Sequence, residues 1–411
     1  MIKNKTSLLR GLPKEEKESR KLLLDITEAV LANIDPDKLV RSAMPKTQGY
    51  KNIYVIGTGK GAAKMAQAIE KTTNVSGGFI TIPKGEQKPN LKKIKYGYAT
   101  HPLPSQTGVR GAAKILKIAQ KAGAKDLVIA VISGGGSALM PLPIEGISLQ
   151  TKITITKKLL KSGATIQEIN TVRKHLSKIK GGHLARAVYP AKCIQLVISD
   201  VLGDDLSAIA SGPLAPDITT IADAIKVLSK YKIKAPKTWL ETEKPDSEVF
   251  KKITTKILAN HETVSREAAK ETQKRGFKPV ILDASLDGEC RKRAKELSKK
   301  PKNKKSIYIA TGETTVNVRG NGAGGRNQEF VLATIKDTHD LTVLSIGTDG
   351  VDGICPRKTA GAIASQSTSR QDIANYLKNN DSYHFFQKSG GLIKTGPTGT
   401  NLGDLILMQR T

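Results

Sequence analysis

The feature that most constrains the fold of this chain is an alternation of short apolar runs with glycine-rich turns and helix-like segments. The runs NIYVI, GFITIP, DLVIAVIS and CIQLVIS begin at residues 52, 78, 126 and 193. Apolar runs of about five to eight residues that alternate with helices are typical of a parallel sheet buried on both faces. We therefore predict an α/β fold, with a parallel sheet between helices in the N-terminal part.

The length of the chain and a change in its pattern predict two domains. A chain of 411 residues is too long for one ordinary hydrophobic core. The alternation loosens between residues 213 and 250, where prolines interrupt it. We place the boundary in this region and predict domains 1–240 and 241–411, with last residues that could return to the first domain. Long helices are predicted over 14–40 and 166–188, and a β-hairpin over 306–320.

The composition limits the classes of function. The 67 basic and 37 acidic residues give a net charge of +30, but the excess is spread along the chain and aromatic residues make up only 4%. Nucleic acid is therefore not expected as a partner, and a positive field that attracts small anions fits better. No apolar stretch is long enough to cross a membrane. Three cysteines without a CxxC spacing predict neither a disulfide framework nor a zinc site, and favour a reducing cytoplasm.

The first glycine-rich loop, GTGKGA at residues 57–62, follows an apolar run and opens a helix. It fits the loose dinucleotide pattern GxGxxA, so a Rossmann dehydrogenase has to be considered. However, the second run ends in TIPK at 81–84, without the acidic residue that would bind the ribose, and the chain has no Walker A spacing. The loop then directs one ammonium, that of Lys60, toward a carboxylate or phosphoryl group. A solvated lysine in a turn is the alternative.

The second glycine-rich loop is SGGGSA at residues 133–138. Three successive glycines let the backbone approach a ligand closely and present adjacent N–H groups to phosphate oxygens, and the serines add hydroxyl donors. A turn that is only structural needs one or two glycines. We therefore predict phosphate or nucleotide binding by this loop, through Ser133, Gly134, Gly135, Gly136 and Ser137.

Charged side chains follow at two further places. Asp200 comes after the run CIQLVIS, and Asp205 lies five residues later. Carboxylates at a strand end beside phosphate-binding loops suit Mg²⁺, and Asp200 could also orient or deprotonate an attacking hydroxyl; helix capping is the alternative for Asp205. If residues 166–188 form one helix, Arg173 and Lys180 come close to one face, either as ligand contacts or as a solvated charge stripe.

The C-terminal half offers a second set of polar residues. TGETT at 311–315 contains Glu313, and GGRNQE at 324–329 contains Arg326 and Asn327. Arg326 stands at a helix start beside two glycines, where it could make a bidentate contact to a carboxylate or phosphate. Each motif alone could be a simple turn. Together they could line a second rim of a ligand site.

The order of these motifs resembles the archaeal and bacterial glycerate 2-kinase family, whose C-terminal part is known as the MOFRL domain. The resemblance rests on VIGTGKGA, ISGGGSAL, NTVRKHLSKIKGG, ISDVLGDDLSAIASGP, TGETTVNVRG, GGRNQEF, GTDGVDG and GPTGTNLGDL, and extends from about residue 20 to the C-terminus. It implies a larger N-terminal Rossmann-like domain, a smaller C-terminal α/β domain with a mixed sheet, and a cleft between them.

The resemblance also implies an activity, the transfer of the γ-phosphoryl group of ATP to the 2-hydroxyl of D-glycerate. The implied catalytic residues are Lys60, Asp200 and Arg326, and the implied substrate contacts are Lys60, Arg173 and Arg326. The 133–137 loop, Glu313 and Asn327 are implied to bind the nucleotide. Asp200 and Asp205 are implied to bind Mg²⁺ or another divalent cation. ATP and D-glycerate are the expected partners, with a homodimer as an alternative to a monomer. The rival functions are an NAD(P)H-dependent hydroxypyruvate reductase and a non-catalytic sugar-phosphate-binding regulator.

Overall fold

Most strands form where apolar and β-branched residues recur, whereas the partly exposed strands Ile94–Ala99, Ile253–Ala259 and Lys278–Leu286 also contain polar residues. The computed structural model describes residues 1–411. The strands are β1 (Ile53–Thr58), β2 (Gly77–Pro83), β3 (Ile94–Ala99), β4 (Leu127–Ser133), β5 (Lys192–Ile198), β6 (Ile253–Ala259), β7 (Lys278–Leu286), β8 (Ser306–Gly312), β9 (Leu341–Gly347), β10 (Gly361–Ala364), β11 (Leu392–Ile393) and β12 (Asp404–Arg410).

Helices fill most of the segments between the strands. They are α1 (Lys5–Leu8), α2 (Lys14–Asn33), α3 (Pro36–Ala43), α4 (Ala62–Thr72), α5 (Gln106–Lys121), α6 (Gly136–Leu139), α7 (Leu149–Lys161), α8 (Ile166–His175), α9 (His183–Val188), α10 (Ile221–Lys230), α11 (His261–Lys274), α12 (Cys290–Leu297), α13 (Arg326–Asp337), α14 (Ile373–Lys378) and α15 (Ser382–Ser389). None of them combines the length and the apolar character that a bilayer span would require.

The chain divides into two compact units, and the division differs from the predicted one. The central unit is Pro36–Leu258, and the terminal unit combines Met1–Asp35 with Ala259–Thr411. The predicted boundary near residue 240 therefore falls inside the central unit. The N-terminal helix α2 belongs to the terminal unit because it packs against α11, β9 and β12. Its Arg20 also donates to the hydroxyls of Ser365 and Thr368, both at 2.8 Å.

The central unit is built on a sheet with the strand order β3-β2-β1-β4-β5-β6. Strands β1 to β5 run parallel, and β1 and β4 are buried along their whole length because α4 and α5 pack on the sheet. The predicted Rossmann-like parallel sheet is confirmed. The strand order reverses between β1 and β4, so the loops after these two strands flank the point where open parallel sheets bind ligands.

The terminal unit contains the predicted mixed sheet, with the order β11-β10-β9-β12-β8-β7. Only β7 and β8 pair in parallel, and the other neighbours are antiparallel. The C-terminal strand β12 lies inside this sheet between β8 and β9, so it does not return to the central unit's sheet. The hairpin predicted over 306–320 is wrong. After Gly312 the chain leaves the sheet, and the Glu313 N–H donates to Leu286 O at 2.7 Å.

Both of the predicted long helices are broken. α2 ends at Asn33 and α3 begins at Pro36, because proline disfavours helical conformation in the residue before it and is well tolerated at the first helical position. The segment 166–188 splits into α8 and α9. Gly181 and Gly182 lie between them with φ of 57° and 82°, a left-handed conformation that a helix cannot continue through.

Candidate active site

Two glycine loops lie side by side at the carboxyl ends of β1 and β4. The Lys60 N–H donates to Gly134 O at 3.0 Å, and the Gly61 N–H donates to the Ser133 hydroxyl at 2.9 Å. Gly59 has φ of 125°, and a Cβ there would lie 2.2 Å from Ser133 Oγ and 2.5 Å from Ser133 O. The close approach of the two loops therefore depends on the missing side chain at Gly59. It brings Lys60 and the 133–137 loop, both predicted from the sequence, to one edge of the sheet.

Replacing Gly59 by alanine is expected to lower the free energy of unfolding by about 1–3 kcal/mol, because the added Cβ meets Ser133 and the backbone is held in a conformation that alanine rarely adopts. Urea denaturation measures the change. Gly85→Ala is the matched control, since Gly85 has φ of 93° but no atom within 4 Å of an added Cβ. Equal losses in the two variants would mean that backbone strain alone, and not the contact with Ser133, requires glycine at position 59.

Lys180, in the segment that follows α8, holds the second glycine-rich loop in place through hydrogen bonds. Its Nζ donates to Ser137 O, Ser137 Oγ and Ala210 O at 3.0, 3.1 and 3.1 Å. Ser137 Oγ also lies 2.9 Å from Ser211 Oγ, which donates to Asn170 Oδ1 at 3.1 Å. Three acceptors match the three protons of an ammonium group. Lys180 is therefore hydrogen-bonded in full by neutral oxygens, without a carboxylate partner.

Lys152, Arg173 and Lys180 form a group of basic residues, which we call the basic cluster. Helix α7, which carries Lys152, packs against α8, which carries Arg173, and the charges of both residues act on Lys180. Lys152 and Lys180 are only 7% and 2% exposed, and the Lys152 Nζ has no hydrogen-bond partner. Burial lowers the pKa of all three side chains, and the like charge of Arg173 acts in the same direction on both lysines; for Lys152 the pKa falls to about 7. No carboxylate offsets these effects, so the basic cluster is an uncompensated positive site.

The basic cluster does not come from one helix face, which is a correction to the interpretation of Arg173 and Lys180. Arg173 lies in the last turn of α8, which ends at His175. Lys180 lies in the non-helical segment before α9, where the neighbouring Lys178 N–H donates to Leu142 O at 3.0 Å. Lys152 comes from α7. Three separate segments thus supply the three cations.

The predicted metal ligands follow β5. β4 and β5 pair up to Ser133 and Ile198, so Asp200 leaves the sheet close to the start of the second loop. Asp205 is exposed, and its two oxygens accept hydrogen bonds from the Ser207 N–H at 2.8 Å and the Ser207 hydroxyl at 3.0 Å. These bonds close a turn, and no helix begins at Asp205, so the predicted alternative of helix capping is wrong. The metal role of both carboxylates stays a prediction.

Glu86, in the turn after β2, is a titratable group that the sequence motifs did not single out. Burial raises the pKa of its carboxyl to about 7, although the charges of Lys60 and Lys64 oppose the increase. A carboxyl with a pKa near 7 beside a predicted catalytic lysine can exchange a proton near neutral pH. Glu86 therefore joins the candidate site as a neighbour of Lys60.

In the terminal unit, Arg326 is held by two carboxylates. Its Nε lies 2.8 Å from Asp404 Oδ2 and its Nη1 lies 2.5 Å from Glu313 Oε1. Burial acts to lower the pKa of Arg326, but the charges of Asp404 and Glu313 outweigh it and raise the pKa. Asp404 is 1% exposed, and burial raises its pKa to about 6 even beside the guanidinium. The predicted anion contact of Arg326 therefore competes with two protein carboxylates, one of them the predicted nucleotide ligand Glu313.

Asn327 and the start of α13 are also occupied by protein groups. The Asn327 Nδ2 donates to Asp404 Oδ1 at 2.8 Å, and its Oδ1 accepts from the Ser345 hydroxyl at 2.5 Å. The N–H groups of Asn327 and Gln328 donate to the Asp352 carboxylate at 3.0 and 2.9 Å. Asp352 thus takes the position where the start of a helix would otherwise bind an anionic ligand. These bonds do not support a nucleotide contact of Asn327, which stays a prediction.

The sequence contained a signal for Lys152 that the motif analysis missed. Lys152, Ile155 and Leu159 have the spacing of one helix face, and all three are buried in α7. A lysine on the apolar face of a helix is forced out of water, so it needs a compensating interaction or a function. Asp352 and Asp404 gave no such signal because their partners on α13 are distant in the sequence.

Comparison with known proteins identifies relatives over nearly the whole chain. Residues 22–242 match the family described as "Domain of unknown function (DUF4147)", and residues 306–404 match the MOFRL family. The "D-glycerate 2-kinase" of Thermotoga maritima is 38% identical over 411 residues, an alignment that covers 94% of this chain and 97% of the relative. The "Glycerate 2-kinase" of Pyrococcus horikoshii is 39% identical, and the alignment covers 86% of both chains.

Two further similarities concern the fold and the rival function. The crystal structure of the glycerate kinase from Thermotoga maritima superimposes with a TM-score of 0.87 and 37% identity, over 96% of this chain and all of the other. A "Putative hydroxypyruvate reductase" of Agrobacterium vitis is 37% identical, over 94% of this chain and 93% of the relative. Identity at this level over nearly full length shows a common fold and a common family.

Proposed function

Since the chain belongs to the glycerate 2-kinase family, we propose that it transfers the γ-phosphoryl group of ATP to the 2-hydroxyl of D-glycerate. One observation carries the proposal. Two hydrogen-bonded glycine loops stand at the point where the strand order of the central sheet reverses, and the second loop is bound to Lys180 of the basic cluster. Backbone loops and uncompensated cations together are what a polyphosphate needs.

The reaction we propose is an in-line displacement. The 2-hydroxyl oxygen of glycerate bonds to the γ-phosphorus, the bond to the β,γ-bridging oxygen breaks, and the hydroxyl proton passes to a carboxylate. We assign the proton acceptor to Asp200 and the neutralisation of the phosphoryl oxygens to Lys60. Positioning and charge neutralisation supply most of the catalysis in such transfers.

Mg²⁺ is the cation we expect to accompany the nucleotide. The carboxylate of Asp200 supplies the hard oxygen donors that Mg²⁺ prefers, and Asp205 is the second proposed ligand although its oxygens also cap a turn. When bound, the cation would neutralise negative charge on the phosphates. The donor chemistry at the end of β5 is what supports this assignment.

The support for a substrate contact differs between the two proposed arginines, Arg173 and Arg326. Arg173 has no carboxylate partner, and burial lowers its pKa, so an anionic substrate would relieve its desolvated charge. Arg326 is paired with Asp404 and Glu313, and only the family resemblance supports its contact with the substrate. We therefore weight Arg173 more strongly than Arg326 for this role.

Product analysis tests the proposal. We expect the protein, given D-glycerate, ATP and Mg²⁺, to release ADP and a phosphomonoester whose ³¹P signal is split by a single carbon-bound proton, as in 2-phosphoglycerate. A signal split by two equivalent protons would place the phosphate on the 3-hydroxyl and contradict the assigned position. The absence of any phosphoryl transfer would contradict the kinase assignment.

The reductase alternative is favoured by the name of the Agrobacterium vitis relative and by the GxGxxA pattern of the first loop. Against it, β2 ends at Pro83 and continues into Lys84, and the buried Thr81 hydroxyl donates to Thr58 Oγ1 at 2.8 Å. An NAD site needs an acidic residue at this strand end for the ribose, whereas Lys84 could tolerate the 2′-phosphate of NADP. Glycerate with NAD⁺ should therefore yield no reduced cofactor, and reduction of NADP⁺ would favour the reductase. Binding of anions with no turnover of any nucleotide would instead indicate the regulator.

A further inference from the structure

Lys152 is a buried cation that the proposed reaction does not use. Its Nζ is shielded from water and has no hydrogen-bond partner. Lys180 differs, because its three protons all reach oxygen acceptors. Within the basic cluster, Lys152 and Arg173 are therefore the two residues whose N–H groups are available to bind a ligand.

The free-energy cost of burying the Lys152 ammonium group favours a compensating negative charge. Removing an ammonium group from water without a partner is strongly unfavourable, and two neighbouring cations add repulsion. Burial and the charge of Arg173 both lower the pKa of Lys152. The side chain can relieve this cost by releasing its proton or by binding an anion, and an anionic ligand would hold Lys152 in its charged form.

The protein itself offers no anion for this purpose. The carboxylates on the segments around α8 are paired with other cations. Asp217 binds Lys174 at 3.1 Å, and Glu241 binds Lys244 at 2.7 Å. Glu243 forms an ion pair with Arg186. No carboxylate is among the charges that act on Lys152, Arg173 or Lys180, so an anion that neutralises them would come from outside the chain.

We propose that Lys152 and Arg173 bind a phosphate group, while Lys180 holds the neighbouring Ser137 loop in place to receive it. A phosphate dianion offsets more of the positive charge than a carboxylate does, and its several oxygens can accept from an ammonium and a planar guanidinium at once. The anion site is argued from the basic cluster alone. Its identification with the phosphate that the substrate acquires in the reaction, which Arg173 as a substrate contact would then bind, rests on the proposed function.

The test uses inorganic phosphate as the probe and the full chain without nucleotide. We expect phosphate to bind the wild type and to raise its Tm, and Lys152→Met to weaken the Kd for phosphate at least tenfold, measured by isothermal titration calorimetry. Methionine keeps the apolar stem of the side chain in α7 while removing the charge. For the same reason the ligand-free Lys152→Met protein should have a higher Tm than the ligand-free wild type.

Lys157→Met is the matched control, since Lys157 lies on the same helix but is exposed. It should bind phosphate like the wild type. If Lys152→Met also binds phosphate like the wild type, the proposal is overturned, whatever the kinase activity of either protein. D-glycerate, used as a carboxylate probe in the same titration, separates the two anions. Lys152-dependent binding of glycerate without phosphate binding would overturn the assignment to phosphate.

Discussion

Replacing Lys60 by alanine is expected to lower kcat/KM for glycerate phosphorylation about a hundredfold to a thousandfold, the usual cost of losing one donor aimed at developing charge. Lys60 stands between the two glycines that follow β1, and its N–H is bound to Gly134 O at 3.0 Å. This hydrogen bond therefore fixes the position of the Lys60 backbone, from which the side chain with its ammonium group extends. A coupled assay for ADP measures the loss, and Tm checks that the fold is retained.

The matched control for this substitution is Lys84→Ala. Lys84 is exposed just after β2, so the variant removes an equal charge from the same end of the parallel sheet and should keep near-normal kcat/KM. A second readout is the pH profile. Because the charge of Lys60 lowers the pKa of Glu86, its removal should move that pKa upward. An unchanged kcat/KM in Lys60→Ala would mean that Lys60 has no role in the mechanism.

Local patterns in the sequence were sufficient to predict the buried parallel strands of the central sheet, but not its half-exposed edge strand β6. Strands such as β1 and β4 are buried on both faces and are therefore continuous apolar runs. The two loops that follow them carry glycines because their backbones touch. In both cases the physical cause acts within a few residues of the signal, so the pattern and the structure agree.

The assignments that failed depend on contacts between distant residues. The sequence could not show that α2 packs with α11, because its own periodicity gives an apolar face but not the partner of that face. The hairpin failed for a similar reason. β8 pairs with β7 and β12, and strand neighbours of this kind are set by topology rather than by the turn that follows.

In the candidate site, too, the residues in local motifs were predicted and those that depend on distant contacts were not. Lys60 and the 133–137 loop were predicted from local motifs. The basic cluster needed three segments to come together, and Lys152 carries no motif of its own. Asp404, the buried carboxylate beside Arg326, was not predicted for the same reason, since it is 78 positions away in the chain. Charge compensation is a property of the assembled fold, and it decides whether an arginine is available to a ligand.

Arg326→Met is expected to lower the free energy of unfolding by about 3–5 kcal/mol, the range observed when one partner of a buried ion pair is removed. The substitution leaves the Asp404 carboxylate, which is 1% exposed, without its cation. Asp404 would keep only neutral donors such as the Asn327 amide. Urea denaturation at neutral pH measures the loss, and adding Asp404→Asn should recover most of it. A loss of activity in the single variant therefore cannot be assigned to substrate binding until stability has been measured.

The pH dependence of this loss distinguishes Asp404 from other causes. Burial raises the pKa of folded Asp404 to about 6 from its ordinary value of 3.8, so the native state binds this proton more tightly than the unfolded state does. The stability that the carboxyl contributes is complete below about pH 4 and is lost as the pH rises through about 6. Because Arg326 favours the ionised form of Asp404, its removal should raise this pKa further, so the difference in stability between the wild type and Arg326→Met should be nearly constant below about pH 6 and widen as the pH rises above it. The double variant cannot ionise at position 404 and should show no widening. A difference that stays constant with pH would mean that Arg326 stabilises the terminal unit through packing, and not through the charge of Asp404.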